Sequence, residues 1–70
     1  MNLLYKKARY INKLLNGPDD KEVFRLGGLE VNSSSLQAWR AGVEKSNYRD
    51  ITNEQLAAYM DGLIKILTKD

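Results

Sequence analysis

The chain has no cysteine and no histidine, and each absence closes a class of chemistry. Without cysteine there is no disulfide framework to staple a small fold. Without either residue, the usual zinc sites and the Ser-His-Asp and Cys-His arrangements of nucleophilic catalysis lack their donors. No apolar run approaches the roughly 20 residues of a membrane span. The start, MNLLYKKARY, has no apolar stretch followed by a small-residue cleavage site. A cytoplasmic protein without membrane association is the expectation. Acid is also missing from the first part of the chain. Residues 1–18 carry Lys6, Lys7, Arg9 and Lys13 with no carboxylate, a local +4, whereas residues 19–70 hold the remaining seven basic and all nine acidic residues, a local −2.

The 70 residues are enough for one small domain, spanning 1–70, which would bury about 60% of its unfolded surface. A disulfide-free domain of this size relies on close helix packing or borrows core from a partner.

The stretch from Asp19 to Gly42 contains the single Phe, the single Trp, a Gly-Gly break and a triple serine. It is expected to be the hub of an all-helical fold: two longer flanking helices, two short central ones, and no sheet. The first helix is predicted over Asn2–Asn16. At 100° per residue Leu4, Ala8, Ile11 and Leu15 form one stripe, widened by Leu3 and Leu14, with Lys6, Arg9 and Lys13 opposite and Tyr5 and Tyr10 at the borders. Gly17 as the C′ residue, followed by Pro18, would stop it. Asp19 as N-cap with Glu22 three residues on starts a second helix, Asp20–Leu26, which ends at Gly27-Gly28.

Two caps compete for the third helix, Asn32 and Ser34, and the predicted span is Ser35–Val43 with Leu36, Trp39 and Val43 facing inward. The fourth helix, Asn53–Thr68, has the strongest start: Thr52 and Gln55 as a capping box, Ile51 and Leu56 as a staple. Its stripe is Leu56, Met60, Leu63 and Leu67, with Tyr59, Ile64 and Ile66 widening it. Gly62 in mid-helix costs about 1 kcal/mol against Ala, which points to close approach by another backbone. The predicted core is Leu4, Ala8, Ile11, Leu15, Phe24, Leu36, Trp39, Leu56, Met60 and Leu63.

No constellation here indicates catalysis. Asp19 and Asp20 are adjacent, leave a helix at different angles and are explained by capping. The scattered acids have no calcium-loop spacing, and Gly27-Gly28 has neither the preceding strand nor the following Gly-Lys-Ser of a phosphate loop. An enzyme is the least expected class, and no cofactor, metal or small-molecule substrate is implied. Lys6, Arg9 and Lys13, with Arg40, are the candidate contacts to an anion or nucleic acid, since no acid within the first helix is spaced to pair with them. Set against that is an ordinary solvated face. A helix-turn-helix is disfavoured because the connection from Gly27 to Asn32 exceeds that motif's 3–4-residue turn. Tyr59, Ile64 and Ile66, on the wide apolar arc of the last helix, are the candidate self-association surface of a homodimer or a contact for another protein.

In order and spacing, Arg9-Tyr10, Asp19-Asp20, Phe24-x-Leu26-Gly27-Gly28, Val31, Ala38-Trp39 and Gly62-Leu63-Ile64 resemble the YehS-like bacterial family, a domain family of unknown function, over nearly the whole chain. The resemblance implies an all-helical unit of about this length, usually present in two tandem copies. One copy is present here, which implies a homodimer standing in for the pair. Two positions depart from the family pattern: Arg40 follows the Trp where Leu is usual, and Tyr59-Met60 stand where Phe-Leu is usual. No activity is implied. The reading reached from the residues is a non-catalytic, self-associating interaction module, with weak nucleic-acid binding through the first helix as the alternative.

Overall fold

The computed structural model describes residues 2–68. Four helices follow one another: α1 (Leu3–Leu14), α2 (Asp20–Leu26), α3 (Ser33–Arg40) and α4 (Asn53–Thr68). Among the described residues there is no strand, and no helix is long and apolar enough to cross a membrane.

The caps account for most boundaries. Asp19 Oδ1 accepts the Glu22 N–H at 3.0 Å, as expected for α2. Glu22 does not return the bond, because its carboxylate is paired with Arg25 one turn on. At α4 both halves of the box form: Thr52 Oγ1 accepts from Gln55 N–H at 3.1 Å, and Gln55 Oε1 accepts from Thr52 N–H at 2.9 Å. Of the two caps competing for α3, Asn32 is used, its Oδ1 accepting from Ser35 N–H at 2.8 Å. This starts α3 two residues before the predicted Ser35 and places Val31 and Leu36 together against the core.

Helix α3 also ends earlier than predicted, at Arg40 rather than Val43, and Ala41 is extended. Two of its last carbonyls are taken by distant groups, and a third also by the side chain of its own last residue, instead of a further helical turn. Asn2 Nδ2 donates to Trp39 O at 2.9 Å, Arg49 N–H to Ala38 O at 3.1 Å, and Arg40 Nε to Leu36 O at 3.2 Å. With those acceptors satisfied the chain is free to leave the helix. Val43 lies beyond that end and is exposed, not buried.

Helix α1 ends in a left-handed residue as expected, but that residue is Asn16 (φ 54°), one position before Gly17. Asn16 N–H donates to Lys13 O and Gly17 N–H to Asn12 O, the paired bonds of a Schellman ending. Gly17 is required for room: a Cβ there would sit 1.9 Å from Asn12 Oδ1. The same ending closes α2, with Gly28 at φ 90° and bonds from Gly28 to Arg25 and from Leu29 to Phe24.

The core centres on the crossing of α2 and α4, where the backbones touch. A Cβ on Gly62 would lie 2.0 Å from Val23 O, and one on Gly27 1.7 Å from Ala58 O. The close approach expected from Gly62 is therefore present, with Gly27 as its counterpart. Around this crossing Tyr5, Phe24, Trp39 and Tyr59 pack as an aromatic cluster with centroid separations of 4.9–6.2 Å, several of them edge-on. Ala8, Phe24, Leu36, Trp39 and Leu63 are buried as predicted, while Leu56 and Met60 are half-buried. Leu67, placed on the α4 stripe, is exposed.

The prediction fails on α1. Leu4, Ile11 and Leu15 are exposed, and the residues facing the core are Tyr5, Ala8 and Asn12. The two sets are offset by about 70° on a wheel of 100° per residue, with Ala8 common to the predicted and the observed face. The reason lies at the start of α2.

Candidate functional site

Asp20 is the first residue of α2, one position past the residue that caps it. Its carboxylate therefore points across the fold and does not bond the helix end. Oδ2 accepts from Tyr5 Oη and from Arg9 Nε, both at 2.9 Å, and Oδ1 accepts from Tyr59 Oη at 2.8 Å. The carboxylate is 12% exposed and Arg9 35%. Three elements thus meet on one acid, and a largely buried charge is stable there because both of its oxygens have strong donors, one of them a guanidinium. Turning α1 to bury Leu4 and Ile11 would pull Tyr5 and Arg9 off Asp20.

Burial, reinforced by the negative charge and hydrogen bond of Asp20, pushes the Tyr5 phenol well above its ordinary value, with the charges of Arg9 and Arg40 opposing. The same burial, with Asp20 next, does so for Tyr59. Both phenols are held as protonated donors and are not bases at neutral pH. Asp20, attributed by sequence to capping, is the correction: capping is done by Asp19 alone, and the second Asp is the hub of the fold.

The predicted anion contacts divide. Lys6, Arg9 and Arg40 line one cleft of about 390 Å³ between the start of α1 and the end of α3, together with Val43, Glu44 and Tyr48. Lys13, two turns along α1, is not part of it. Arg9 is anchored to Asp20, so the first helix does meet an acid from elsewhere in the fold, while Lys6 and Lys13 have no ion pair among the described residues. Of the proposed self-association residues, Tyr59 is fully buried, which removes it from any surface. Ile66 is half-buried against the core, and Ile64 is exposed.

A second surface emerges, made of three residues expected in the core, Leu4, Ile11 and Leu15, and the two expected to widen their stripe, Leu3 and Leu14. Leu3, Leu4, Ile11, Leu14 and Leu15 are 38–65% exposed and occupy one arc of α1 about 120° wide, with Lys7 among them. The α4 residues Ile64 and Leu67 are exposed too.

Sequence reasoning also missed Asn2. Its amide donates to Trp39 O and Arg49 O, and its Oδ1 accepts from Ile51 N–H, tying the beginning of α1 to both ends of the α3–α4 connection. No local pattern signals such bonds, which span 37 to 49 residues. Asp20 did leave a signal: one N-cap needs one Asp, so the second was surplus, and Tyr5 and Arg9 are spaced i,i+4 to reach a common partner.

One family model, described as "Protein of unknown function (DUF1456)", matches residues 2–67. No curated protein matches the chain. No solved structure matches it either.

Proposed function

Since this chain belongs to the DUF1456 family of proteins of unknown function, the family that its YehS-like residues resemble, we propose from its own geometry that it is a cytoplasmic, non-catalytic interaction module that self-associates through the exposed apolar face of α1. One observation carries this reading. The helix presents Leu3, Leu4, Ile11, Leu14 and Leu15 to solvent while it turns Tyr5, Ala8 and Asn12 inward. Soluble monomers rarely leave a contiguous apolar patch of that extent uncovered, and a second copy presenting the same face is the simplest cover. Ile64 of α4, exposed and apolar, is the member of the predicted self-association set that remains at the surface.

The non-catalytic part rests on the chemistry of the polar groups. In the best-organised polar cluster the Asp20 carboxylate is engaged by Tyr5, Arg9 and Tyr59, and both phenols are held protonated. Light scattering across a concentration series tests the proposal. The wild type is expected to reach a dimer mass, and the double variant Leu4→Glu/Leu14→Glu to remain a monomer with its helical circular dichroism retained. A monomer at every concentration, or a dimer indifferent to the double variant, overturns it.

A further inference from the structure

The cleft at the opposite side of α1 has the chemistry of a phosphate site. Arg9 is held by its Nε on Asp20 at 2.9 Å, and Arg40 by its Nε on Leu36 O at 3.2 Å. Each guanidinium is thereby held, that of Arg9 also over the Tyr5 ring at 5.6 Å, while both of its terminal nitrogens remain without a hydrogen-bond partner among the described residues. A fork held in this way loses little freedom on meeting a planar or tetrahedral oxyanion, and two parallel N–H bonds to phosphate are its favoured mode. Lys6, one turn before Arg9 on α1, adds a third cation to the same cleft. Asp20 is engaged with Arg9, so it balances one of the three charges and leaves two uncompensated by contact.

The opposing acid is Glu44. Its carboxylate folds back over Gly42, where both oxygens would lie 2.6 Å from a Cβ at that position, and it makes no ion pair with Arg40 or Lys6 among the described residues. The remaining wall is apolar and aromatic, with Leu3, Val43 and Tyr48. At about 390 Å³, the space falls at the lower end of the ~300–1,000 Å³ typical of small-ligand pockets. It is too large for a bare phosphate, and the mixed wall suits a planar ring beside the charged group.

We propose that this cleft binds a nucleoside phosphate, the phosphate held by the terminal nitrogens of Arg9 and Arg40 and by Lys6, and the base lying against Val43 and Tyr48. The ligand is either a free nucleotide or the 5′-phosphorylated end of a single strand. Leu3 borders both this site and the apolar face; the other residues of that face lie on another side of α1 and are not part of the cleft.

The test is a fluorescence-anisotropy titration with methylanthraniloyl-AMP and with a short 5′-phosphorylated single-stranded DNA labelled at its 3′ end. Arg40→Gln and Lys6→Gln are each expected to weaken binding about tenfold, the loss of one charge-assisted contact. Both side chains are exposed, so the fold should persist, checked by circular dichroism. Glu44→Gln is expected to tighten binding a few-fold by removing the repelling charge. Lys13→Gln should leave nucleotide binding unchanged. With three cations engaged, strand affinity should fall roughly fifteen- to twentyfold between about 50 and 200 mM salt. Nucleotide binding alone identifies a free nucleotide as the ligand, and mutual competition between the probes identifies the strand end. No binding of either probe up to about millimolar concentration overturns the proposal. So does binding that ignores both Arg40→Gln and Lys6→Gln in folded protein, or strand binding that the nucleotide cannot compete. The Leu4→Glu/Leu14→Glu protein should bind as the wild type does, so failure of one proposal leaves the other standing.

Discussion

Helices α1 and α4 both carry an apolar stripe at helical spacing, yet α4 buries a larger share of it than α1 does. On α4 the stripe and the buried face overlap in part: Tyr59 and Leu63 are buried and Leu56, Met60 and Ile66 half-buried, while Ala58 and Gly62 are buried beside the stripe and Ile64 and Leu67 are exposed. On α1 they part by about 70°, and an aromatic, an alanine and an asparagine face inward while five large aliphatics face out. The difference lies in what each helix meets. Helix α4 meets α2 backbone to backbone through Gly62 and Gly27, so its rotation is set by where a side chain is absent. Helix α1 meets a carboxylate, and its rotation is set by which face offers a phenol and a guanidinium. Periodicity reveals which face is apolar; it does not reveal what covers that face.

The comparison can be broken at the α2–α4 crossing, where the largest effect is expected. In an exposed helix Gly→Ala stabilises by about 1 kcal/mol. Gly62→Ala should instead destabilise by about 3 kcal/mol, because its Cβ would force Val23 O away and separate the helices. A chemical denaturation curve measures the sign, and a stabilised Gly62→Ala protein would show that the contact is loose.

A smaller effect, about 1–2 kcal/mol, is expected from Tyr59→Phe, which leaves Asp20 Oδ1 without its donor in a site largely closed to water. The same phenols make the fold sensitive to base. Their folded values lie above the unfolded value near 10. Below pH 10 both states hold the protons and the full contribution is present. Above it the unfolded chain releases them first, so stability falls as pH rises. Thermal melts between pH 8 and 11 should show this decline, and Tyr59→Phe should make it shallower. An unchanged slope would mean that the phenols are not held as described.

The smallest effect should come from α1. Ile11→Gln, made in a sample dilute enough to be monomeric, should change folding stability by less than about 0.5 kcal/mol, since the side chain is 44% exposed. A loss of several kcal/mol would return Ile11 to the core and restore the amphipathic reading of this helix.

What was legible in the chain was whatever is decided within a few residues. Asp19, Thr52 with Gln55, and Asn32 as one of two competing caps could be read because a capping side chain bonds a backbone N–H three positions away. Gly62 could be read as a close approach because no local need explains a glycine there. The candidate site was legible in part. Lys6, Arg9 and Arg40 were singled out as cations without local partners, but nothing in their spacing says that α3 ends beside the start of α1 or that Lys13 is left out. The early end of α3 was hidden for the same reason, since Asn2 and Arg49 donate to that helix end from far along the chain.

The amino-acid sequence by itself determined the helices, most of their caps, the glycine contact and the family, because local hydrogen bonding and side-chain size act over one turn. Only the tertiary structure decided which face of α1 is buried. Two hydrogen bonds from α1 to a carboxylate screened from water, with the burial of Tyr5, set the rotation against a leucine stripe that has no surface to pack against. That choice leaves one side of α1 apolar and open, and another holding two anchored arginines in a cleft.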